Sequence, residues 1–257
     1  MTNRHFDLAG RVAIVTGGNG GIGLGMAIGL AESGAGVMIV GRNAAKNEKA
    51  VAALRETGAQ AASAIADLTG EASCRAMVAE TAAQFGRVDI LINNAGTNIR
   101  KQPQEYTLAE WHAILDTNLT SAFVCSQAVY PEMKKAGGGK IINIGSMMSI
   151  FGAAFVTAYA ASKGGMVQMT RAMATAWASD NIQVNAVLPG WIDTDLTRAG
   201  RKAIPGLHER VLARTPAGRW GAPADMAGIG VFLASAASDF VTGTAIPVDG
   251  GYSVMGV

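Results

Sequence analysis

Residues 16–23 read Thr16-Gly17-Gly18-Asn19-Gly20-Gly21-Ile22-Gly23. This stretch follows a short apolar run and precedes a segment with the composition of a helix, which extends to about Ser33. Glycine permits a tight turn and a close approach of the backbone to a pyrophosphate, and a helix N-terminus offers free N–H groups and a positive dipole end. The spacing Gly17-x-x-x-Gly21-x-Gly23 departs from the GxGxxG fingerprint, so a glycine-rich turn without a ligand is the alternative.

On both sides of this turn, short β-branched runs alternate with longer Ala-rich stretches over the whole chain. Strands are predicted at 11–16, 36–40, 60–66, 88–92, 140–144, 182–188 and 244–248. Helices are predicted from the turn to about 33 and at 44–57, 71–85, 108–135 with a bend near 118, 158–179 and 223–236. Strands that are apolar almost throughout are buried on both faces, as in a parallel sheet. The sequence therefore predicts a single α/β domain, residues 1–257, with a Rossmann-like, doubly wound, parallel seven-stranded sheet and helices on both faces.

Composition and charge exclude several classes of protein. The formal net charge of the 257 residues is +2 and no block of Lys or Arg occurs, so neither a nucleic acid nor a membrane surface is an expected partner. No apolar run is long enough to span a bilayer. The first residues carry no apolar signal-peptide core, and we expect a cytoplasmic protein. Cys74 and Cys125 are too few for a disulfide framework or a metal site, and we expect two reduced, partly buried thiols and no metal.

The end of the second predicted strand bears on the choice of cofactor. An acidic residue there would hydrogen-bond the ribose 2′-hydroxyl of a dinucleotide and repel a 2′-phosphate. Gly41 stands at that position and Arg42 follows it. A guanidinium can bind phosphate through two donors, so the sequence favours NADP(H), with NAD(H) possible. The alternative is that Arg42 only caps a solvated turn.

A phenol and an ammonium lie four residues apart at Tyr159 and Lys163, and hence on one face of a predicted helix. Free tyrosine has a pKa near ~10, and a neighbouring cation favours the tyrosinate that proton transfer near neutral pH requires. Alone, this spacing also occurs in exposed surface pairs. However, Asn93-Asn94-Ala95-Gly96, Ser146 and Pro189-Gly190 each follow a predicted strand, and the carboxyl ends of parallel strands share one edge where ligands bind.

With these motifs together, the chain resembles the short-chain dehydrogenase/reductase family from Leu8 to about Tyr252. The motifs are TGGNGGIG, Asp67-Leu68, NNAG, Asn118 in Thr117-Asn118-Leu119, Ser146, YAASK at 159–163, PGWIDT at 189–194 and Val248-Asp249-Gly250-Gly251. The resemblance implies an alcohol–ketone oxidoreductase in which Tyr159 is the general acid/base. Lys163 would hold the nicotinamide ribose and lower the tyrosine pKa, Ser146 would donate to the substrate oxygen, and Asn118 would bend its helix and hold a relay water.

The resemblance also implies a cofactor site at the same edge of the sheet. Asp67 would bind the adenine amino group, and Ile192 and Thr194 would meet the nicotinamide carboxamide. The complete set of expected cofactor-binding residues is Gly17, Asn19, Gly21, Ile22, Gly23, Arg42, Asn43, Asp67, Leu68, Asn94, Ala95, Gly96, Tyr159, Lys163, Pro189, Gly190, Ile192 and Thr194.

The substrate is indicated by a closer resemblance to the sugar-acid branch of the family, the gluconate and deoxygluconate dehydrogenases, carried by the stretches 137–149 and 215–221. Arg100, Met148 and Trp191 are the expected substrate contacts. Arg100 would bind a carboxylate bidentately, although a solvated or structural arginine is an equal alternative. A loop-rich segment at about 191–220 would form a lid. Its basic residues suit an anionic substrate or merely a solvated face, and among the histidines His5, His112 and His208 only His208 is a candidate near the substrate.

Three other functions remain open at this point. A 3-oxoacyl-[acyl-carrier-protein] reductase shares nearly every motif and would need a basic docking patch. A non-catalytic dinucleotide-binding protein would keep the fold but has no need of Tyr159. A sugar epimerase or dehydratase would need an added substrate domain, which the sequence lacks. The family is usually tetrameric, and the small and apolar faces of the helices at 121–135 and 159–179 and the apolar tail at 252–257 agree with a homotetramer.

Overall fold

The computed structural model describes residues 4–256. Its centre is one sheet of seven parallel strands in the order β3-β2-β1-β4-β5-β6-β7. The strands are β1 (Val12–Thr16), β2 (Gly36–Gly41), β3 (Ala61–Ile65), β4 (Ile90–Asn93), β5 (Gly139–Ile144), β6 (Ile182–Pro189) and β7 (Ala245–Val248). Every residue of β1, β4, β5 and β6 is buried, which is why these segments are apolar almost throughout. The predicted fold class is confirmed.

Nine α-helices lie within the described residues and are α1 (Gly21–Glu32), α2 (Ala44–Glu56), α3 (Glu71–Phe85), α4 (Leu108–Leu115), α5 (Ser121–Lys135), α6 (Thr157–Trp177), α7 (Asp195–Ala203), α8 (Leu207–Arg214) and α9 (Ala227–Ala234). Helices α1, α2 and α9 cover one face of the sheet, where Met26, Leu54 and Leu233 are buried. Helices α3, α5 and α6 cover the other face, where Cys74, Val129 and Met173 are buried. No helix in residues 4–256 is long and apolar enough to cross a membrane.

Helix α1 sits unusually close to its neighbours. A Cβ atom added at Gly25 would lie 2.1 Å from the carbonyl oxygen of Pro223, and one at Gly29 would lie 2.8 Å from Cβ of Ala227. Pro223 begins a turn of 3₁₀-helix, Pro223–Met226, that leads into α9. Small residues on this face therefore let α1 pack against backbone, which fixes the position of the glycine-rich turn that precedes it.

The structure corrects several predicted boundaries. The helix expected at 223–236 is split into the 3₁₀ turn and α9. The fourth strand, expected at 88–92, begins two residues later and ends one residue later, at Ile90–Asn93. The bend expected near Asn118 is a π-helical turn, Asp116–Thr120, between α4 and α5. The segment expected to be loop-rich at 191–220 contains α7 and α8. Pro205 and Gly206 interrupt the periodicity there, so each helix is too short to be evident from its sequence.

Candidate active site

The glycine-rich turn between β1 and α1 has backbone conformations that favour glycine. Gly17 and Gly21 have φ angles of 61° and 52°, and a Cβ atom at Gly23 would lie 2.4 Å from Nδ2 of Asn94 and 2.6 Å from the carbonyl oxygen of Gly17. Gly20 precedes the first turn of α1 and no side chain caps the helix. The first N–H groups of α1 therefore remain directed at the edge of the sheet, as the binding of a dinucleotide pyrophosphate requires.

Side-chain hydrogen bonds join this turn to the end of β4. Asn94 donates through Nδ2 to the carbonyl oxygens of Thr16 and Gly17, each at 3.0 Å. Thr16 accepts at Oγ1 from the backbone N–H groups of Asn94 and Ala95, at 3.0 and 3.1 Å, and donates to the carbonyl oxygen of Ile92. Asn94 and Ala95, expected to line the cofactor, therefore also fix the turn that would hold it.

A second asparagine pair anchors the same turn from α2. Asn19 donates through Nδ2 to Oδ1 of Asn47 at 2.6 Å, and Asn47 donates to the carbonyl oxygen of Gly41 at 2.9 Å. Asn47 is fully buried. Among the cofactor residues expected on this side, Asn43 caps α2 by accepting from the N–H of Lys46 at 2.9 Å.

The charged residues expected at the adenosine end are accessible. Arg42 and Asp67 are exposed and Leu68 is half-buried. Hydrogen bonds from the backbone and side chain of Thr69 lower the pKa of Asp67, and the positive charge of Arg42 lowers it further. Within residues 4–256, no hydrogen bond or ion pair holds the Arg42 guanidinium, so it is available to an anionic ligand.

Asn118 lies in the π-helical turn and all of its polar atoms are engaged. It accepts at Oδ1 from the N–H of Thr97 at 2.7 Å and donates through Nδ2 to the carbonyl oxygen of Thr97 and to Oγ of Ser162, both at 3.0 Å. The side chain is completely buried. Asn118 thus clamps the loop that follows β4 and connects it to α6.

Ser146 follows β5 and faces Tyr159 in the first turn of α6. The Ser146 hydroxyl accepts from the N–H of Met148 at 3.1 Å, so its own proton remains to be donated. Burial raises the pKa of Tyr159, and the neighbouring Ser146 hydroxyl acts in the opposite direction and lowers that pKa. The two predicted residues are therefore brought close together, one after β5 and the other in the first turn of α6.

Lys163 lies one turn further along α6 and is only 4% exposed. Its Nζ donates to the carbonyl oxygen of Ile144 at 2.7 Å and lies 5.7 Å from the centroid of the Tyr159 ring. Burial lowers the pKa of Lys163 to about 8. A Cβ atom at Gly96 would lie 3.7 Å from Nζ and 3.3 Å from Oδ1 of Asn118. Lys163 thus lies next to the loop after β4, with its Nζ near the ring of Tyr159.

The segment after β6 leads from the sheet into the lid (191–220). Pro189 ends β6, and Gly190 donates its N–H to the carbonyl oxygen of Val248 at 3.0 Å. Ile192 is buried and pairs with Gly221. Thr194 caps α7, and its methyl group would lie 3.1 Å from a Cβ atom at Gly21. The root of the lid therefore rests directly on the glycine-rich turn.

Aromatic and cationic side chains hold the lid together. The ring centroids of Trp191 and Trp220 are 5.4 Å apart, and the Arg201 guanidinium lies 3.9 Å from the Trp220 ring centroid. Trp220 donates through Nε1 to Nδ1 of His208 at 3.1 Å. Trp191 and His208, both weighed as residues near a substrate, are therefore parts of one packed cluster.

The remaining expected substrate residues lie at the edge of the site. Met148 is half-buried in the short turn after Ser146, and Arg100 is exposed in the loop after β4. No hydrogen bond or ion pair holds the Arg100 guanidinium in the described part of the chain. Residues 4–256 contain no cluster of His, Cys, Asp and Glu suited to a metal ion. Cys74 and Cys125 form no disulfide bond and are buried.

Comparison with known proteins places this site in a family. A family model described as enoyl-(acyl carrier protein) reductase matches residues 17–253. The match includes the glycine-rich turn, the four catalytic candidates and the lid. The chain belongs to the short-chain dehydrogenase/reductase family.

Relatives of this short-chain dehydrogenase/reductase share its full length. A 2-dehydro-3-deoxy-D-gluconate 5-dehydrogenase of Dickeya dadantii is 43% identical over 98% of this chain and 99% of its own. A gluconate 5-dehydrogenase of Gluconobacter oxydans is 39% identical over 97% of both chains. The crystal structure of a gluconate 5-dehydrogenase from Burkholderia cenocepacia, in complex with NADP and tartrate, has a TM-score of 0.93 and 40% identity and covers 98% of this chain and 99% of its own.

Two contributors to this dehydrogenase site escaped the sequence analysis. No role was predicted for Thr16 beyond its place in the glycine-rich stretch. Its hydroxyl nevertheless joins β1 to the loop after β4. Asn47 lies on the buried side of α2, with Ala50, Val51 and Leu54. A polar residue among the apolar positions of an amphipathic helix is the signal that could have identified it, because a buried amide needs partners.

We predict that Lys163→Met makes the protein more stable at neutral pH. Burial lowers the lysine pKa from 10.5 to about 8, which corresponds to roughly 3 kcal/mol, and loss of the bond to Ile144 costs about 1 kcal/mol. The unfolded chain binds the lysine proton more tightly than the folded chain does. The buried charge therefore lowers the free energy of unfolding of the wild type by the full amount below about pH 8, and this loss disappears as the pH rises towards 10.5.

Chemical denaturation at pH 7 and pH 10.5 measures this difference. We expect the free energy of unfolding of Lys163→Met to exceed that of the wild type by about 1–2 kcal/mol at pH 7 and not at pH 10.5. Lys135→Met is the control, since that side chain is 72% exposed and should show no such pH-dependent gain. An equal effect of Lys163→Met at both pH values would contradict a cost of burying the charge.

Proposed function

We propose that this chain is an NADP(H)-dependent oxidoreductase that interconverts a secondary alcohol and a ketone on a sugar acid, such as gluconate and keto-gluconate. The observation that carries the proposal is the convergence of Ser146, Tyr159 and the buried Lys163 at the edge of the sheet that also bears the dinucleotide turn. The names of the full-length relatives support the sugar-acid substrate.

Proton transfer and polarisation of the carbonyl are the tasks of the protein side chains. The bound nicotinamide supplies or accepts the hydride. Tyr159 donates its proton to the ketone oxygen during reduction and accepts it from the alcohol during oxidation. Ser146 donates to the same oxygen. Its Oγ already accepts from the N–H of Met148, so its hydroxyl proton remains available as a donor. General acid catalysis of this kind contributes on the order of 10²–10⁴ in rate.

Lys163 and Asn118 act on the groups around this proton transfer. The Nζ of Lys163 donates to Ile144 and lies close to Gly96, and it would hold the nicotinamide ribose of a bound cofactor. Asn118 holds the loop of Thr97 against α6. Both residues therefore fix the relative positions of the elements that surround the cofactor and the substrate, and this positioning contributes to catalysis.

The carboxylate of the substrate is assigned to Arg100. Its guanidinium is exposed, unpaired within the described residues and located in the loop after β4. The arginines of the lid are less available: Arg198 binds Asp193 and Asp195, Arg201 binds Asp193, and Arg219, at the end of the lid, binds Asp225. This pairing balances the charge of three of the basic residues on which an acyl-carrier protein could dock.

We predict selective turnover of sugar acids in an absorbance assay of nicotinamide oxidation. The substrates are keto-gluconates, acetoacetyl thioesters and simple ketones, each assayed with NADPH and NADH. Oxidation of NADPH with a keto-gluconate is the expected result, and Tyr159→Phe should remove it while leaving cofactor binding unchanged. Arg100→Ala should raise KM for the keto acid at least tenfold without affecting an uncharged ketone. Activity only with acetoacetyl thioesters, or none at all, contradicts the proposal.

The preference for NADP(H) is assigned to Arg42, and the NADP in the Burkholderia cenocepacia structure supports it. We predict that Arg42→Glu raises KM for NADPH at least tenfold and changes KM for NADH little, because the carboxylate repels only the 2′-phosphate. Steady-state kinetics with both cofactors measure the change. Lys49→Ala, which removes an exposed positive charge on α2, is the control. Equal losses with both cofactors would contradict this role for Arg42.

A homotetramer in the cytoplasm completes the proposal. Leu108 on α4 and Phe123 on α5 are 69% and 46% exposed, and Val254 and Met255 in the tail are 82% and 42% exposed. Apolar surface of this kind is normally covered by a partner. We predict the mass of four chains in light scattering, which Phe123→Lys should reduce, whereas a monomeric wild type would contradict the assembly. Cell fractionation tests the location.

A further inference from the structure

Ser149 connects two of the catalytic residues but belongs to neither motif. It ends the short 3₁₀ turn, Met147–Ser149, that follows Ser146. Its Oγ accepts from the backbone N–H of Ser146 at 3.1 Å and donates to the backbone carbonyl oxygen of Lys163 at 2.8 Å. One hydroxyl group therefore bridges the turn after β5 and the middle of α6.

The second of these bonds distinguishes Ser149 from an ordinary turn residue. The reciprocal pair of Ser146 and Ser149, in which each side chain accepts from the backbone of the 3₁₀ turn, already satisfies the turn itself. A carbonyl inside α6 has its helical partner, so the bond to Lys163 is not needed to complete the helix. The bond instead fixes the distance between the two elements that carry Ser146 and Tyr159.

The surroundings leave the hydroxyl little freedom. A Cβ atom at residue 145 would lie 3.0 Å from Oγ of Ser149 and 2.5 Å from Cδ2 of Leu188. Gly145 therefore allows the backbone to approach Ser149 closely. Ser149 itself is only partly accessible. Both partners of the hydroxyl are backbone groups, so they cannot rotate away as side chains could.

We propose that Ser149 is a positioning residue that keeps the Ser146 hydroxyl beside Tyr159 by tying the Ser146 turn to the backbone of Lys163. This inference rests on the proposed function. Ser149 does not contact the reacting atoms and acts only through the geometry of Ser146 and α6.

Removal of the hydroxyl has a consequence for proton transfer with a definite sign. Burial raises the pKa of Tyr159 and the neighbouring Ser146 hydroxyl lowers it, so a displaced Ser146 leaves the tyrosine pKa higher. Alcohol oxidation requires the tyrosinate, and its pH–rate profile should therefore move to higher pH in Ser149→Ala. A purely structural residue would change stability and leave this profile in place.

The test compares Ser149→Ala with Ser149→Thr, which keeps the hydroxyl. In Ser149→Ala we expect kcat to fall by about tenfold or more, the profile for alcohol oxidation to shift to higher pH, and the dissociation constant of NADP to stay within about twofold. Ser149→Thr should restore the wild-type profile. Ser33→Ala is the matched control, because Ser33 donates a similar bond to Gly29 at 2.9 Å at the far end of α1.

A second measurement separates this inference from the proposed function. Tyrosinate absorbance, with the Tyr159→Phe variant subtracted, follows the ionisation of Tyr159 without any turnover. If the wild type is inactive on every substrate, the proposed function fails, and the titration still decides the role of Ser149. A higher Tyr159 pKa in Ser149→Ala supports the role. An unchanged pKa or pH–rate profile, or a Ser149→Thr variant as impaired as Ser149→Ala, overturns it.

Discussion

The hydrogen bonds between Thr16 and Asn94 hold the site together at the point where the sheet divides. In the order β3-β2-β1-β4-β5-β6-β7, the chain proceeds outward in one direction from β1 and in the other from β4. Loops at the carboxyl ends of β1 and β4 therefore separate and leave a crevice, which is where ligands bind in such sheets. Thr16 and Asn94 close the base of this crevice with side-chain bonds to backbone groups of both loops. The glycine-rich turn takes its position from this junction, whereas Asn118 and Lys163 are held by Thr97, Ser162 and Ile144.

The site requires buried polar groups near this junction, and these groups lower the stability of the fold. The Lys163 ammonium is held in the interior by a single carbonyl oxygen within the described residues. A buried cation with so few partners favours the neutral form, and its pKa falls accordingly. An apolar residue would suit the position better in terms of folding. The presence of lysine there indicates that the position serves the ligand rather than the core.

The sequence was sufficient to predict the sheet, because the strands are apolar almost throughout and the glycine turn marks the first crossover. The resemblance to a known family indicated the four catalytic candidates, and their roles stay predictions. Residues that act through buried bonds could not be predicted in this way. Ser149 and Asn47 acquire their partners only when β5 meets α6 and when α2 packs on β2 and β3. Helices α7 and α8 escaped because they are short and depend on the packing of Trp191, Trp220 and Arg201 rather than on their own periodicity.

Charge pairing explains which arginines can contribute to recognition. The sequence shows many basic residues between 191 and 220, but Asp193 and Asp195 take up Arg198 and Arg201. A guanidinium already bound to a carboxylate gains little from a second anion, because its donors are engaged and its charge is balanced. Arg42 and Arg100 differ from these lid residues in having no such partner within residues 4–256, and they follow two different strands, β2 and β4. One unpaired cation at the adenosine end and another beyond the loop after β4 suit two separate anions, the 2′-phosphate of the cofactor and the carboxylate of a sugar acid. On this argument, the specificity of the enzyme depends less on the number of its basic residues than on which of them the fold leaves unpaired.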